Sequence, residues 1–467
     1  MTNRCVDILV GLNAGSEGKG KYMSILSDVP YAALVRTGGP NAAHTVEFDN
    51  RHFVFHAIPC GAFHFPKAKV VLGANAQIDI EYLKREIELL KEGGVWDEHR
   101  LLIDPNAVII DPIDKIAENG GCMPSCGDLY FHPIDCNKHT ELGGTCFGCG
   151  ELPVDSAWAK LGSTTHGVGA NAARKAARGT KMCVLPGQEL DLNTYVRSKL
   201  ECSEDANFDD IAEAMLELLE KPVTDWGEFI KPEPIRYAED DEFLRPYLCD
   251  TVEFLNALID TDESILLEGT QGAVLSLHHG YRGKTTSRDT NSSNWCADAG
   301  ISPFAVRDIY GVTRTFPIRV AGNSGPMSGR EITWEEITEH ANSPEPIVEI
   351  TTATKRKRRV FTLDGPEGPK DLRKALNINR PTKLMLSFID YLSYEDRHKQ
   401  SWDSLTQETR DWITTLETKM EVFFKYLSTG PDVAHTIIRK TPGEIIGQVQ
   451  TGSEGCDPIL NRHAPPK

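Results

Sequence analysis

At 467 residues the chain is long enough for a large core or for two to three domains. Its content, 40% hydrophobic and 25% charged, is that of a soluble globular protein, and a net charge of −18 opposes binding to nucleic acid or an anionic membrane. No apolar run reaches the length of a membrane span, and the N-terminus has no signal-peptide architecture, so a cytoplasmic setting is expected. The twelve cysteines are scattered; Cys5, Cys60 and Cys249 sit singly in apolar context and read as free thiols.

Val6-Asp-Ile-Leu-Val10 reads as a short buried strand running into Gly11-Leu-Asn-Ala-Gly-Ser-Glu-Gly-Lys-Gly-Lys21. An amphipathic segment over 22–26 follows, so the order is strand, glycine-rich loop, helix. Glycines let backbone N–H groups approach phosphate oxygens, a helix start adds positive potential, and Lys19 and Lys21 add point charges. The loop departs from a Walker A pattern: Asn13 stands where the first glycine belongs, and Gly20 where a magnesium-binding Ser or Thr belongs. By pattern alone it serves equally as a tight connection or as a nucleotide site.

Further along, 53–63 reads as strand and turn, 69–72 as a buried strand, 78–90 as a helix closed at Gly93-Gly94, and 101–111 as a strand. Strands alternating with helices predict an α/β fold with a large, mostly parallel sheet flanked by helices. Residues 120–150 break this rhythm. Cys122, Cys126, Cys146 and Cys149 either close a structural zinc site in an insert without its own core, or are incidental cysteines of a surface loop. Helical patterns cover 171–178, 209–219, 242–258 (interrupted at Pro246) and 409–420; strand patterns cover 264–268, 383–390 and 421–427. A single domain over 1–455 is expected, followed by a frayed tail over 456–467.

Gly15-Ser-Glu-Gly-Lys-Gly-Lys21 and Gly38-Gly-Pro-Asn-Ala-Ala-His-Thr45 together resemble adenylosuccinate synthetases, whose patterns are GDEGKGK and GGHNAGHT. That resemblance implies a P-loop-NTPase-like synthetase fold with loop and small-subdomain insertions. Four further stretches carry it: Gly162–Gly169, Leu267–Gly272, Thr351–Arg359, and the pair Ser387–Asp390 with Ser428–Asp432. The resemblance implies a nucleoside monophosphate site at Ser16, Asn41, Thr164, Arg178, Gln271 and Thr286. It implies triphosphate contacts from Gly15, Glu17, Gly18, Lys19, Gly20, Lys21, His44, Thr45, Asp390, Ser428 and Gly430. Thr354, Arg356 and Arg358 fall on the aspartate-binding loop, where arginine's planar fork suits a dicarboxylate. Ser16 and Gly39 fall on the Mg²⁺ positions. Arg178 falls on a residue that acts on the partner subunit's nucleotide, which implies a homodimer.

Two departures stand out. Ser16 replaces the family's catalytic aspartate and Pro40 its catalytic histidine. The same double change resembles a viral branch, the 2-aminoadenylosuccinate synthetases of phages with 2-aminoadenine in their DNA; the setting would then be a host's cytoplasm. The family reaction phosphorylates the purine 6-oxygen and then displaces phosphate with the amine of L-aspartate. Ser16 and Lys19 are the expected catalytic residues. The purine monophosphate is dGMP on the viral pattern or IMP on the ordinary one, and loss of both acid and base also fits an inactive nucleotide-binding paralogue. A carboxylate at Asp390 accepts guanine N1–H and N2–H, which favours GTP, whereas the viral branch is associated with ATP, so the donor stays open between ATP and GTP.

Overall fold

The computed structural model describes residues 3–26, 29–48, 51–111, 114–115, 166–176, 235–351, 356–363 and 369–440. Its strands are β1 (Val6–Gly11), β2 (Tyr31–Arg36), β3 (His44–Phe48), β4 (Arg51–Phe55), β5 (Lys69–Leu72), β6 (Gln77–Ile78), β7 (Leu101–Ile103) and β8 (Val108–Ile109). They continue as β9 (Ser264–Glu268), β10 (Val306–Arg314), β11 (Ile318–Arg319), β12 (Glu331–Ile332), β13 (Arg359–Phe361), β14 (Lys383–Ser387), β15 (Phe424–Ser428) and β16 (Thr436–Ile438). Nine of them form one sheet in the order β16-β15-β14-β10-β1-β9-β2-β5-β7, and only the β15–β16 pair is antiparallel. The expected α/β architecture is the one observed.

β1 is at the centre, with β9 and β10 as parallel neighbours, and every residue of it is buried. A strand covered on both faces has no reason to alternate with polar residues, which is why it reads as a continuous apolar run. Its one charge, Asp7, accepts hydrogen bonds from the Tyr31 hydroxyl (2.6 Å) and the Arg307 guanidinium (2.6 and 3.0 Å). On one face Leu9, Leu34, Val70 and Leu72 pack against Tyr22 and against Leu83, Ile87 and Leu90 of the helix Ile80–Glu92. On the other, Ile8, Val35 and Leu267 pack against the helices Thr251–Asp260 and Ser292–Ala299. A further layer, Lys370–Asn379 with Gln407–Met420, covers β14 and β15.

Boundaries shift where a capping residue overrides the apolar period. The helix expected over 78–90 runs Ile80–Glu92, because the Asp79 side chain accepts the N–H groups of Glu81 and Tyr82 and Gly93 closes the far end. The strand expected over 101–111 breaks into β7 and β8, since Asp104 turns on itself by accepting the Asn106 N–H at 2.9 Å. The helix expected over 242–258 is a 3₁₀ turn at Arg245–Tyr247, where Pro246 sits, and then Thr251–Asp260. The strand over 383–390 stops at Ser387, because Phe388 takes a positive φ of 61°. The zinc-or-loop segment 120–150, the helix expected over 209–219 and the tail 456–467 lie outside the described residues.

The loop after β1 delivers the helix Lys19–Ile25, which begins three residues ahead of its apolar segment. Gly20 sits on the inner face of this helix against β3: a Cβ there would lie 1.9 Å from the Thr45 carbonyl oxygen. Packing, not phosphate chemistry, therefore accounts for glycine where a Walker loop carries Ser or Thr. Gly20→Ala is expected to destabilise the fold by about 1–3 kcal/mol or more, the range for overpacking a close contact. Urea unfolding followed by circular dichroism checks it; an unchanged midpoint would show that the helix Lys19–Ile25 and β3 can separate freely.

Candidate active site

The C-terminal ends of β1, β9, β10 and β14 converge on the loop 12–18. Gly15, Ser16 and Gly18 take positive φ of 88°, 57° and 87°, turning the chain tightly between β1 and the helix. The Glu17 side chain closes this turn from inside. Its carboxylate accepts the N–H of Asn13 (3.1 Å) and of Gly15 (2.9 Å) and pairs with Lys19 Nζ at 2.7 Å. The Glu17 carboxylate is thus committed to loop shape, which leaves only its backbone for the expected triphosphate contact. Lys19 is also buried and donates to the Gln271 carbonyl at 2.6 Å, tying the loop to the segment after β9.

Lys21 points the other way. Its ammonium donates to Ser428 Oγ (2.7 Å) and to the carbonyls of Gly430 (2.8 Å) and His435 (2.9 Å). Burial pushes its pKa down to about 7, against the opposing pull of Asp390, Asp432 and Glu47. These residues border a cleft of about 510 Å³ lined by Gly18, Lys21, Thr45, Phe388, Asp390 and Tyr391 among others. Burial also raises the Asp390 carboxyl. An anionic ligand here favours the charged lysine, so binding of a triphosphate is expected to take up a proton above pH 7 and to weaken as pH rises. Calorimetry at pH 8 in buffers of different ionisation enthalpy reads that uptake, and Lys21→Met should remove it.

The loop 37–42 forms the opposite wall. A Cβ on Gly38 would meet the Thr270 side chain at 2.4 Å, which explains a glycine there. Asn41 Oδ1 accepts from the Gln271 amide at 3.0 Å, bringing together two residues 230 positions apart. Pro40 offers its carbonyl to His56 Nδ1 at 2.7 Å. His56 lies on the Tyr82 ring, and the backbone behind it is held by the buried Glu86, which accepts the N–H of Ala57 (3.0 Å) and Ile58 (2.7 Å).

His44 is buried with Nδ1 on the Glu268 carboxylate, which also pairs with Arg36 at 3.1 Å and accepts the Cys60 N–H at 2.8 Å. Burial lowers the His44 pKa to about 4, so the ring is neutral. A neutral ring whose Nδ1–H is held by Glu268 is no general acid at physiological pH, and the expected triphosphate contact from His44 finds its Nδ1 edge already occupied. His44, Cys60 and Glu268 are a compact ligand-type trio, but Arg36 already balances the carboxylate charge, so they do not form a metal site.

An antiparallel bridge between Ile350 and Lys357 brings Arg358, from the expected aspartate loop, to Ser16. Arg358 donates to Ser16 Oγ at 2.6 Å, and burial lowers its pKa. The Arg356 backbone is locked to Thr351, whose hydroxyl accepts its N–H at 3.0 Å. Thr286 anchors its loop by donating its N–H to the Leu275 carbonyl at 2.9 Å. Thr164, Arg178, Thr354, Cys122, Cys126, Cys146 and Cys149 lie outside the described residues. Ser16 and Gly39, the expected Mg²⁺ positions, already have partners. The Ser16 hydroxyl holds a guanidinium, the Gly39 carbonyl accepts the Ala42 N–H, and neither brings a carboxylate. Two participants went unnoticed in the sequence, Arg314 and Glu349. The one available signal was an arginine closing the apolar strand Tyr310-Gly-Val-Thr-Arg314.

Residues 8–120 and 153–399 match the adenylosuccinate synthetase family. The chain belongs to that family. Members are carbon–nitrogen ligases driven by a nucleoside triphosphate, and their substrates are small molecules. Adenylosuccinate synthetase of Methanocaldococcus jannaschii is 28% identical over 432 residues, covering 92% of this chain and 95% of the relative. That of Chlorobium limicola is 27% identical over 480 residues, covering 93% and 98%. Among solved structures, the fully ligated adenylosuccinate synthetase of Plasmodium falciparum superposes with a TM-score of 0.62 at 20% identity, covering 94% of this chain and 100% of that one. Succinoaminodeoxyadenylate synthetase of cyanophage S-2L, solved with dGMP and with dATP as an energy donor, gives 0.61 at 20% identity, covering 96% and 99%. At that identity the two structures establish the synthetase fold. Among the described residues no helix is long and apolar enough to cross a membrane.

Proposed function

We propose that this synthetase joins L-aspartate to C6 of dGMP, driven by ATP or GTP through a 6-phosphoryl intermediate, giving N6-succinyl-2-amino-2′-deoxyadenylate for 2-aminoadenine DNA. The observation that carries this reading is Ser16. A neutral hydroxyl stands where the family pattern has a carboxylate, and it is held in place by Arg358 at 2.6 Å. A hydroxyl oxygen has two lone pairs. Arg358 takes one, and the other suits the 2-amine of guanine, which hypoxanthine lacks. A site built to pair a polar substituent discriminates against the analogue without it. The likeness to a phage enzyme solved with dGMP supports the same reading. Lys19 and the N–H groups of the loop would offset charge on the transferring phosphoryl.

A second reading, ordinary adenylosuccinate synthesis from IMP with GTP, is favoured by the archaeal and bacterial relatives, all adenylosuccinate synthetases. Phosphate release with saturating aspartate, Mg²⁺, ATP and GTP, and either dGMP or IMP, separates the two. Preference for IMP would promote the second reading, and silence with both an inactive nucleotide-binding paralogue.

The reading includes a dicarboxylate site at Thr354, Arg356 and Arg358. Arg356→Ala is expected to raise KM for aspartate about 10-fold or more, because hydrogen bonds to charged groups contribute about 1.5–3 kcal/mol, and to leave KM for the monophosphate nearly unchanged. Steady-state kinetics with each substrate varied in turn checks the split. We also propose a homodimer completed by Arg178, which light scattering tests, and one synthetase domain over 1–455. The family match stops at 120 and resumes at 153, which supports the cysteine-rich segment as an insert. Its zinc content is read by metal analysis of protein purified without chelator.

A further inference from the structure

Arg314, at the end of β10, is an arginine with a fully buried side chain in the wall between the cleft and Ser16. Its guanidinium lies over the Phe388 ring, 3.9 Å from the centroid, and Phe388 lines the cleft. Nη1 donates to the Ser16 carbonyl at 2.9 Å and to Glu349 Oε2 at 3.3 Å, while Nη2 pairs with Glu349 Oε1. Glu349 is also the backbone partner of Arg358, whose N–H it accepts at 2.9 Å. Arg358 in turn holds the Ser16 hydroxyl. Two guanidinium groups therefore hold the two oxygens of one residue, and Glu349 links them.

A cation with no side-chain exposure is costly, and Arg314 is placed beside a second one: it is among the charges that lower the Arg358 pKa. Its planar fork makes three directed contacts and one face-on stack, which a lysine's compact ammonium cannot reproduce. We infer that Arg314, acting through Glu349, is a positioning residue that sets Arg358 relative to Ser16 and so registers the dicarboxylate site on the purine-facing hydroxyl. The inference rests on the proposed roles of Ser16 and Arg358.

The decisive measurement is a double-mutant cycle on aspartate KM. Arg314→Lys and Glu349→Gln should each raise KM for aspartate about 10-fold, with KM for the monophosphate within about 2-fold of wild type. In an Arg358→Ala background neither change should raise aspartate KM further, since the group they position is gone. Multiplicative effects, or a fall in kcat with aspartate KM unchanged, would overturn the inference. Hydrogen exchange gives a readout independent of turnover. Arg314→Lys should speed exchange in 349–351, 356–358 and the loop 12–18 while leaving β1 and β9 protected. Uniform acceleration would mean a purely structural role. A wild type silent on both dGMP and IMP defeats the proposed function, and the exchange pattern then decides the positioning role by itself.

Discussion

Ser16→Asp is expected to lower kcat/KM for dGMP by about 10²-fold or more. Two losses act together. A longer, charged side chain crowds the 2-amine, at about 1–3 kcal/mol for overpacking. The new carboxylate also faces Arg358, which lies 2.6 Å from the present hydroxyl, and would capture it as an ion pair. The arginine proposed to bind the incoming dicarboxylate is then held away, at about 1.5–3 kcal/mol. Aspartate KM should therefore rise as well, which crowding alone would not produce. Activity on IMP need not appear, because Pro40 offers only a carbonyl, already taken by His56. The double variant Ser16→Asp with Pro40→His is the fairer test of IMP turnover. The wild type itself should prefer dGMP over IMP by about 10- to 10²-fold, the range for one extra paired polar group. Steady-state kinetics of all three proteins on both nucleotides checks these outcomes. A Ser16→Asp protein with undiminished dGMP turnover would remove serine from the account of specificity.

Lys19→Met should lower kcat by about 10²- to 10³-fold, the range found on removing one group that stabilises a developing charge. Lys19 also pairs with the fully buried Glu17, so this variant leaves a carboxylate without its counter-ion. A second effect is expected from that, a stability loss on the order of 3–5 kcal/mol for breaking a buried pair. The two effects separate in Lys19→Met with Glu17→Gln. Gln keeps an oxygen for the N–H groups of Asn13 and Gly15 but carries no charge, so stability should recover while kcat stays low. Thermal unfolding and phosphate release on both variants are the measurements. Recovery of kcat along with stability would make Lys19 a loop-shaping residue only.

How much of this was legible in the sequence depended on whether the cause was local. β9 and β5 matched residue for residue, and β1 was evident from its run into glycine, because a strand buried on both faces advertises itself as uninterrupted hydrophobicity. β2 and β10 were overlooked. Both interior, they mix in Arg36, Asp308 and Arg314, whose partners lie far along the chain at Glu268, Lys383 and Glu349. A charge reads as surface until its counter-ion is known. Capping and turn residues such as Asp79, Asp104 and Pro246 moved element ends by two to several residues, since they act on backbone groups regardless of apolar period.

The candidate site divides the same way. The sequence by itself determined the glycine-rich loop, its two lysines and a serine at position 16, because the turn and its charges lie within eleven residues. Only the tertiary structure decided what those side chains do. It turned Glu17 inward on the loop and left His44 neutral beside Glu268. It sent Lys19 and Lys21 to opposite walls. It also brought Arg358 across 342 positions onto Ser16, with Arg314 behind it. The physical reason is that a parallel sheet gathers the C-terminal ends of strands distant in sequence onto one edge. The partners of each loop residue are therefore set by strand order, which no local stretch encodes.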